Sequence, residues 1–205
     1  MASAEFWYEF ASTYSYPAAL RVGALAAERG VSLAWRPFLL GPIFAAQGWR
    51  HSPFNIYPAK GRYMWRDVER TCETMGVPFK RPAPFPQPSL LAARVALALQ
   101  GEDRASFSRQ LYAAEFGQGA SIADRTMLAS LLARCGVDPA AALERAESDA
   151  NKALLKAECA RAAEIGIVGA PSIVTGDGEV FWGNDRLEQA LDWAAGRREG
   201  ARPGV

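Results

Sequence analysis

Strand-type sequence is confined to the two ends of this 205-residue chain, and that distribution limits its folds more than any other feature. Near the start, Glu5–Ala11 is aromatic-rich and reads as a strand. A helix is predicted from Ser15 to Arg29, stopped by Gly30. The first half of Val31–Leu40 alternates as a second strand, ended by Pro37 and Pro42. The first 40 residues thus form a β-α-β unit, whose crossover is right-handed by default. β-structure returns only in Pro171–Gly183, PSIVTGDGEVFWG, as a hairpin. Ser172–Thr175 and Glu179–Trp182 are its strands, joined by Gly-Asp-Gly. Asn184 or Asp185 then caps a last helix that turns Leu187, Ala190, Leu191 and Ala194 inward.

Between these ends the signals are helical. Gly41–Pro58 reads as a loop rich in Gly, Pro and Asn. Gly61–Gly76 places Met64, Trp65, Val68, Cys72 and Met75 at helical spacing. Arg81–Pro88 is a proline-rich connector that cannot be helix interior. Ser89 caps an apolar helix to Gln100, and Asp103–Phe116 puts Phe107, Leu111 and Ala114 on one face. Asp124 caps Arg125–Cys135, Asp138 precedes a Pro139 at the first helical position, and Ala150–Glu164 follows as another helix. The order βαβ, helical block, ββα is an α/β chain on the thioredoxin-like plan with a large all-helical insertion. The expected division is a discontinuous thioredoxin-like domain (1–40 and 165–196), a loop plus helical insertion (41–164) and a flexible tail (197–205).

Charge and cysteine content exclude several classes. The net charge of +1, from 23 basic and 22 acidic residues, leaves no broad basic face for nucleic acid. Apolar runs are too short for a membrane span, and the first residues lack a signal-peptide pattern, so a cytoplasmic protein is expected. Cys72, Cys135 and Cys159 form no C-x-x-C pair and read as reduced thiols. With a single histidine, His51, no metal site is expected.

Three stretches carry a family likeness: FASTYSY after the first strand, Pro37–Arg70 with its PAKGRYMWRDVER, and Gly166–Leu191 with GIVGAPS and GEVFWGNDRLEQAL. Together they resemble the 2-hydroxychromene-2-carboxylate isomerases and their relatives, the kappa-class glutathione transferases. Both groups lie in the DsbA-like branch of the thioredoxin superfamily. The likeness runs in order over nearly the whole chain. It implies a glutathione-dependent isomerase acting on a small aromatic degradation intermediate. Relatives are often dimers, so a homodimer stands as an expectation.

The residues themselves bear on that chemistry. Where thioredoxin-like oxidoreductases carry C-x-x-C, this chain has Ser12-Thr13-Tyr14-Ser15. Disulfide exchange needs a thiolate, so that activity is excluded at this position. What remains is a helix N-terminus with a hydroxyl, a place that stabilises an anion. In the resembled family the anion is the thiolate of glutathione, held by a hydrogen bond from the residue matching Ser12. Lowering a thiol of pKa ~8.5 by two units takes ~2.7 kcal/mol. One charge-assisted hydrogen bond contributes ~1.5–3 kcal/mol, and a helix end ~0.3–1. No general base is needed. The plain alternative is that Ser12 only caps the helix. The family commonly has Pro where this chain has Thr13.

Further site residues follow from the resemblance. Pro171 would be cis and face the helix start, letting the Ala170 backbone pair with the cysteinyl backbone of glutathione; the alternative is a trans proline opening a strand. Asp185 suits the γ-glutamyl ammonium, and the helix start at Asn184–Asp185 suits its carboxylate; the alternative is a plain cap. Lys60 matches a glutathione-contacting lysine, against a solvated surface residue. Where the family often has Asn after Gly48 this chain has Trp49, so Asn55 takes that contact or the contact is lost. His51 is read as a loop residue, with substrate contact as the alternative. Trp49, Phe54, Tyr57, Trp65 and Phe85 either wall a pocket or pack the core. Arg36 either meets a substrate carboxylate or pairs structurally. Two rival functions stand beside the isomerase: a kappa-like glutathione transferase, and a non-catalytic thioredoxin-like binding module.

Overall fold

The computed structural model describes residues 2–49 and 52–197. Its one sheet has four strands, β1 (Ser3–Tyr8), β2 (Ser32–Pro37), β3 (Ser172–Thr175) and β4 (Val180–Trp182), in the order β2-β1-β3-β4. β1 runs parallel to β2, with Phe6 opposite Trp35, and antiparallel to β3, with Phe6 opposite Ile173. β3 and β4 form the expected antiparallel hairpin. This is the thioredoxin-like arrangement, with helices on both faces of a mixed sheet.

The central position of β1 explains its composition. Successive side chains point to opposite faces of a strand. Ala4, Phe6 and Tyr8 enter the larger core, where Phe6 and Tyr8 meet Trp35 edge-on at 4.9 and 5.4 Å. Trp7 enters the opposite core with Phe38, Leu155 and Val174. A strand covered on both faces has little room for polar residues. Glu5, beside Trp7, is the exception, and it is compensated: Arg36 and Arg161 converge on its carboxylate at 2.8 and 2.9 Å.

The first helix, α1 (Ser15–Glu28), joins β1 to β2 as predicted. β1 itself ends three residues earlier than its sequence suggests, because Glu9–Ala11 already turns toward α1. The stretch read as a loop is partly helical: α2 (Leu40–Ala46) and α3 (Pro53–Ile56) occupy it. Its prolines fall in first turns, where a missing N–H costs no helical bond. His51 and residues 198–205 of the expected tail lie outside the described residues.

α4 (Pro58–Met75) is ended by left-handed Gly76, and α5 (Leu90–Ala98) and α6 (Gly101–Tyr112) follow the proline connector. α6 runs on into a π-helical turn, Ala113–Gly117. Asp124 and Asp138 cap α7 (Arg125–Arg134) and α8 (Pro139–Glu147) through Thr126 N–H and Ala140 N–H at 2.8 and 3.0 Å. α9 (Asp149–Glu164) starts from a Ser148 cap. Ser89 makes no side-chain cap to α5. Neither Asn184 nor Asp185 caps α10 (Leu187–Ala194); both sit in a 3₁₀ turn, Asn184–Arg186, that leads into it. No described helix is long and apolar enough to cross a membrane.

Candidate active site

The site starts where β1 turns into α1. Ser12 N–H donates to Glu9 O at 3.0 Å, closing the turn. Ser12 Oγ accepts the Ser15 N–H at 3.3 Å, which satisfies a donor of the first helical turn. The same hydroxyl donates to Ala170 O at 2.9 Å. Ser12 thus lies just before the helix, whose N-cap position is Tyr14 with no side-chain cap, and links two walls of a cavity. Ser15, in the second cysteine's place, is fully buried.

The facing wall is Gly169–Ala170–Pro171, at the entry to β3. The Ala170–Pro171 bond is cis. Ser172 Oγ donates to Gly169 O at 2.9 Å, and Gly183 N–H to Pro171 O at 2.9 Å, so both flanks of the segment are pinned. The Trp182 indole lies flat against Gly169; a Cβ there would collide with its Nε1. That contact holds a tryptophan with 57% of its surface exposed over the mouth of the cavity. The 3₁₀ turn beyond it hangs on Arg21 of α1, which donates to Asn184 Oδ1, to Asn184 O and to Glu188.

The third wall is α4. Lys60, Met64, Asp67 and Thr71 share one face at helical spacing and all line the cavity. Close approach of α3 is allowed by Gly61, whose Cβ would strike Phe54 O. Across the gap, Tyr14 donates its hydroxyl to Asp67 Oδ2 at 3.0 Å, and Arg70 holds the other carboxylate oxygen at 3.0 Å. Burial and then the Asp67 carboxylate push the Tyr14 phenol well above its usual range. Lys60 Nζ lies 4.9 Å from the Tyr57 ring centre.

Glu9 forms part of the floor, 5% exposed. Its carboxylate accepts N–H groups of Ala11 at 3.3 Å and Leu40 at 2.9 Å, tying β1 to α2. Burial raises its pKa, and hydrogen bonds from Ser89, Leu40 and Ala11 oppose that rise. Behind it, in the π-helical turn, Glu115 is fully buried with neither carboxyl oxygen hydrogen-bonded. Burial first, and then Glu9, push its pKa up to about 9. Its neighbour Glu9 has donors suited to a carboxylate, whereas Glu115 has none and is held as a neutral acid at pH 7.

These walls enclose one cavity of about 1300 Å³. Ser12, Asn55 and Lys60 reach it from one side, and Ala170, Pro171, Asn184 and Asp185 from the other. All seven site residues singled out in the sequence are thus brought together. Within that set Asn184 has its side-chain oxygen engaged by Arg21, while Asp185 is exposed beside Arg186. The aromatics divide: Trp49, Phe54 and Phe85 line the cavity, whereas Trp65 packs beneath Phe85 and Phe79. Tyr57 is about half-exposed under Lys60. Arg36 is committed to Glu5 and Glu158, which decides for its structural pairing. Among the cavity residues given no role from the sequence are Glu9, Tyr14, Asp67 and Trp182. Continuing the helical spacing from Lys60 would have found Asp67.

The comparison with known families decides where this geometry belongs: the DSBA-like thioredoxin domain matches residues 4–193. The chain belongs to the DsbA-like thioredoxin family. Among members of that family, it is 30% identical to the 2-hydroxychromene-2-carboxylate isomerase of Sphingobium xenophagum, covering 90% of this chain and 93% of the relative. It is 27% identical to glutathione S-transferase kappa 2 of Caenorhabditis elegans, covering 93% and 91% of the two chains. A solved 2-hydroxychromene-2-carboxylate isomerase superposes with a TM-score of 0.84 at 26% identity, covering 95% of each chain. This DsbA-like chain is thus similar over about nine-tenths of its length to proteins named as isomerases.

Proposed function

We propose that this protein is a glutathione-dependent isomerase of 2-hydroxychromene-2-carboxylate-type aromatic compounds. The observation that carries the reading is the Ser12 hydroxyl, buried at the start of α1 and facing the Ala170 carbonyl inside the large cavity. The names of the similar proteins supply the substrate class and the thiol. The residues fit such a ligand. A hydroxyl and a helix start favour a sulfur anion, and Lys60 and Asp185 offer opposite charges to the ends of a zwitterionic peptide. The volume exceeds the ~300–1,000 Å³ of an ordinary ligand pocket, which leaves room for a second, aromatic molecule.

Glutathione, when bound, supplies a thiolate that adds reversibly to a conjugated carbon, lets the former double bond rotate, and is eliminated again. Ser12 favours the ionised thiol by donating to sulfur. Ala170 aligns the ligand backbone. Leu39, Phe44, Trp49 and Phe85 offer the aromatic partner an apolar wall that keeps water out. The kappa-class relative favours a second reading, in which the same thiol is transferred to an electrophile and stays there.

Turnover of 2-hydroxychromene-2-carboxylate, followed by ultraviolet absorbance with and without glutathione, tests the first reading. Isomerisation that needs glutathione and slows in Ser12→Ala supports it; turnover independent of glutathione sinks it. Conjugation of a chloronitrobenzene without isomerisation selects the transferase instead.

A further inference from the structure

Glu5 lies in β1 and Glu9 just beyond its end, and the fold treats the two carboxylates differently. Glu5 is neutralised by Arg36 and Arg161 at 2.8 and 2.9 Å. Glu9 is more deeply buried, lines the cavity, and has no cation paired with it among the described residues. The titratable groups that act on it are all acids: Glu115 from the π-helical turn, Tyr112 from α6 and Cys159 from α9. What holds it is neutral: Ala11 N–H on Oε1 at 3.3 Å, Leu40 N–H on Oε2 at 2.9 Å, and the Ser89 hydroxyl. Each carboxylate oxygen has two lone pairs, so a ligand hydroxyl can still be accepted. Leu39, Phe44, Phe85 and Leu90, from the same two segments as Leu40 and Ser89, make that part of the lining apolar. A buried carboxylate without a cation is a stronger base than an exposed one, and in a cavity it marks a functional group.

We propose that Glu9 is the hydroxyl-accepting general base of the cavity, and that the ligand it selects is an aromatic compound with an ionisable hydroxyl. The hydroxyl donates to the carboxylate, and the ring lies against the apolar lining. Recognition follows from the surroundings of Glu9; its catalytic use rests on the isomerase reading above. A 2-hydroxychromene-2-carboxylate is a cyclic hemiketal whose double bond is held inside the ring. That bond cannot rotate until the ring opens. Glu9 takes the proton of the hemiketal hydroxyl, and the O–H electron pair becomes the new C=O bond. The bond from the same carbon to the ring oxygen breaks, and its electron pair stays on that oxygen. The phenolate so formed takes the proton back from Glu9. The carboxylate is restored and no proton is lost.

The first test reads recognition alone. 4-Nitrophenol and 4-nitroanisole share a ring, and only the phenol can donate a hydrogen bond. Calorimetry below the phenol's own ionisation should find it bound about tenfold more tightly than the anisole by the wild type. Glu9→Gln should reduce that preference several-fold. Equal binding of the two by the wild type, binding of neither, or the same preference in both proteins overturns the proposal. The wild-type comparison decides even where the variant does not fold.

The second test reads the proton shuttle. Glu9→Gln should lower kcat for 2-hydroxychromene-2-carboxylate about hundredfold, with KM little changed. The open-chain cis enone with a methoxy group in place of the phenol needs no ring opening. Its cis–trans isomerisation should be slowed about tenfold less by the same variant. Equal slowing of both substrates overturns the shuttle and makes Glu9 structural. Ser12→Ala should slow both; if it slows neither, the thiol reading fails and the role of Glu9 stands on its own result. A wild type that prefers the phenol yet turns over neither substrate sinks the isomerase reading and the shuttle, and leaves the hydroxyl site.

Discussion

Arg21 reaches from the middle of α1 to both oxygens of Asn184, with Nε 3.1 Å from the side-chain oxygen and Nη2 2.6 Å from the carbonyl. The turn after β4 therefore hangs on the helix whose start carries Ser12. Arg21→Ala should lower stability by about 2 kcal/mol in urea unfolding, since hydrogen bonds to a charged group are lost. Arg21→Lys should recover only part of it, because an ammonium lacks the planar fork.

Gly169 is required by Trp182. Gly169→Ala should cost about 1–3 kcal/mol, as overpacking does. The same substitution in a Trp182→Ala background should cost little, because the side chain it strikes is gone. A double-mutant cycle in chemical denaturation measures the difference; equal costs in both backgrounds contradict the contact.

Tyr14→Phe keeps the ring beside Phe54 and removes only the hydroxyl held by Asp67. The pair is partly exposed, so a loss of about 1 kcal/mol is expected. The same loss should be absent when Asp67 is already Asn.

Glu115 gives the protein a pH dependence whose sign follows from its raised pKa. The folded state binds this proton more tightly than the unfolded chain does. Its contribution is fully favourable below the ordinary value of 4.5 and is lost as pH rises toward about 9. The slope is on the order of 1 kcal/mol per pH unit within that window. Glu115→Gln should flatten it, so that urea midpoints at pH 6 and pH 8.5 lie closer together than in the wild type.

Local rules carried most of the fold. Asp124, Asp138 and Gly76 mark helix ends in the chain as they do in space, because a cap needs only its own turn. The stretch 41–58 misled by the same locality: read as a loop, it has Pro42 in the first turn of one helix and Pro53 and Pro58 at the start of two others. The candidate site was legible through FASTYSY, GAPS and WGNDR, whose residues are now neighbours. Glu9, Tyr14 and Asp67 were not, since their partners lie 31 and 53 positions away and no local pattern marks a tertiary hydrogen bond.

Ser12 and Ala170 are separated by 158 positions along the chain. β1 is also the sheet's central strand, and its second neighbour, β3, is among the last segments to be made. A ribosome-bound fragment ending at β2, or any chain shortened before β3, has the serine and half the sheet and yet no groove. The cavity between Ser12 and Ala170 should therefore appear abruptly once β3 has been made rather than grow with chain length, and its formation can serve as a reporter of completed folding.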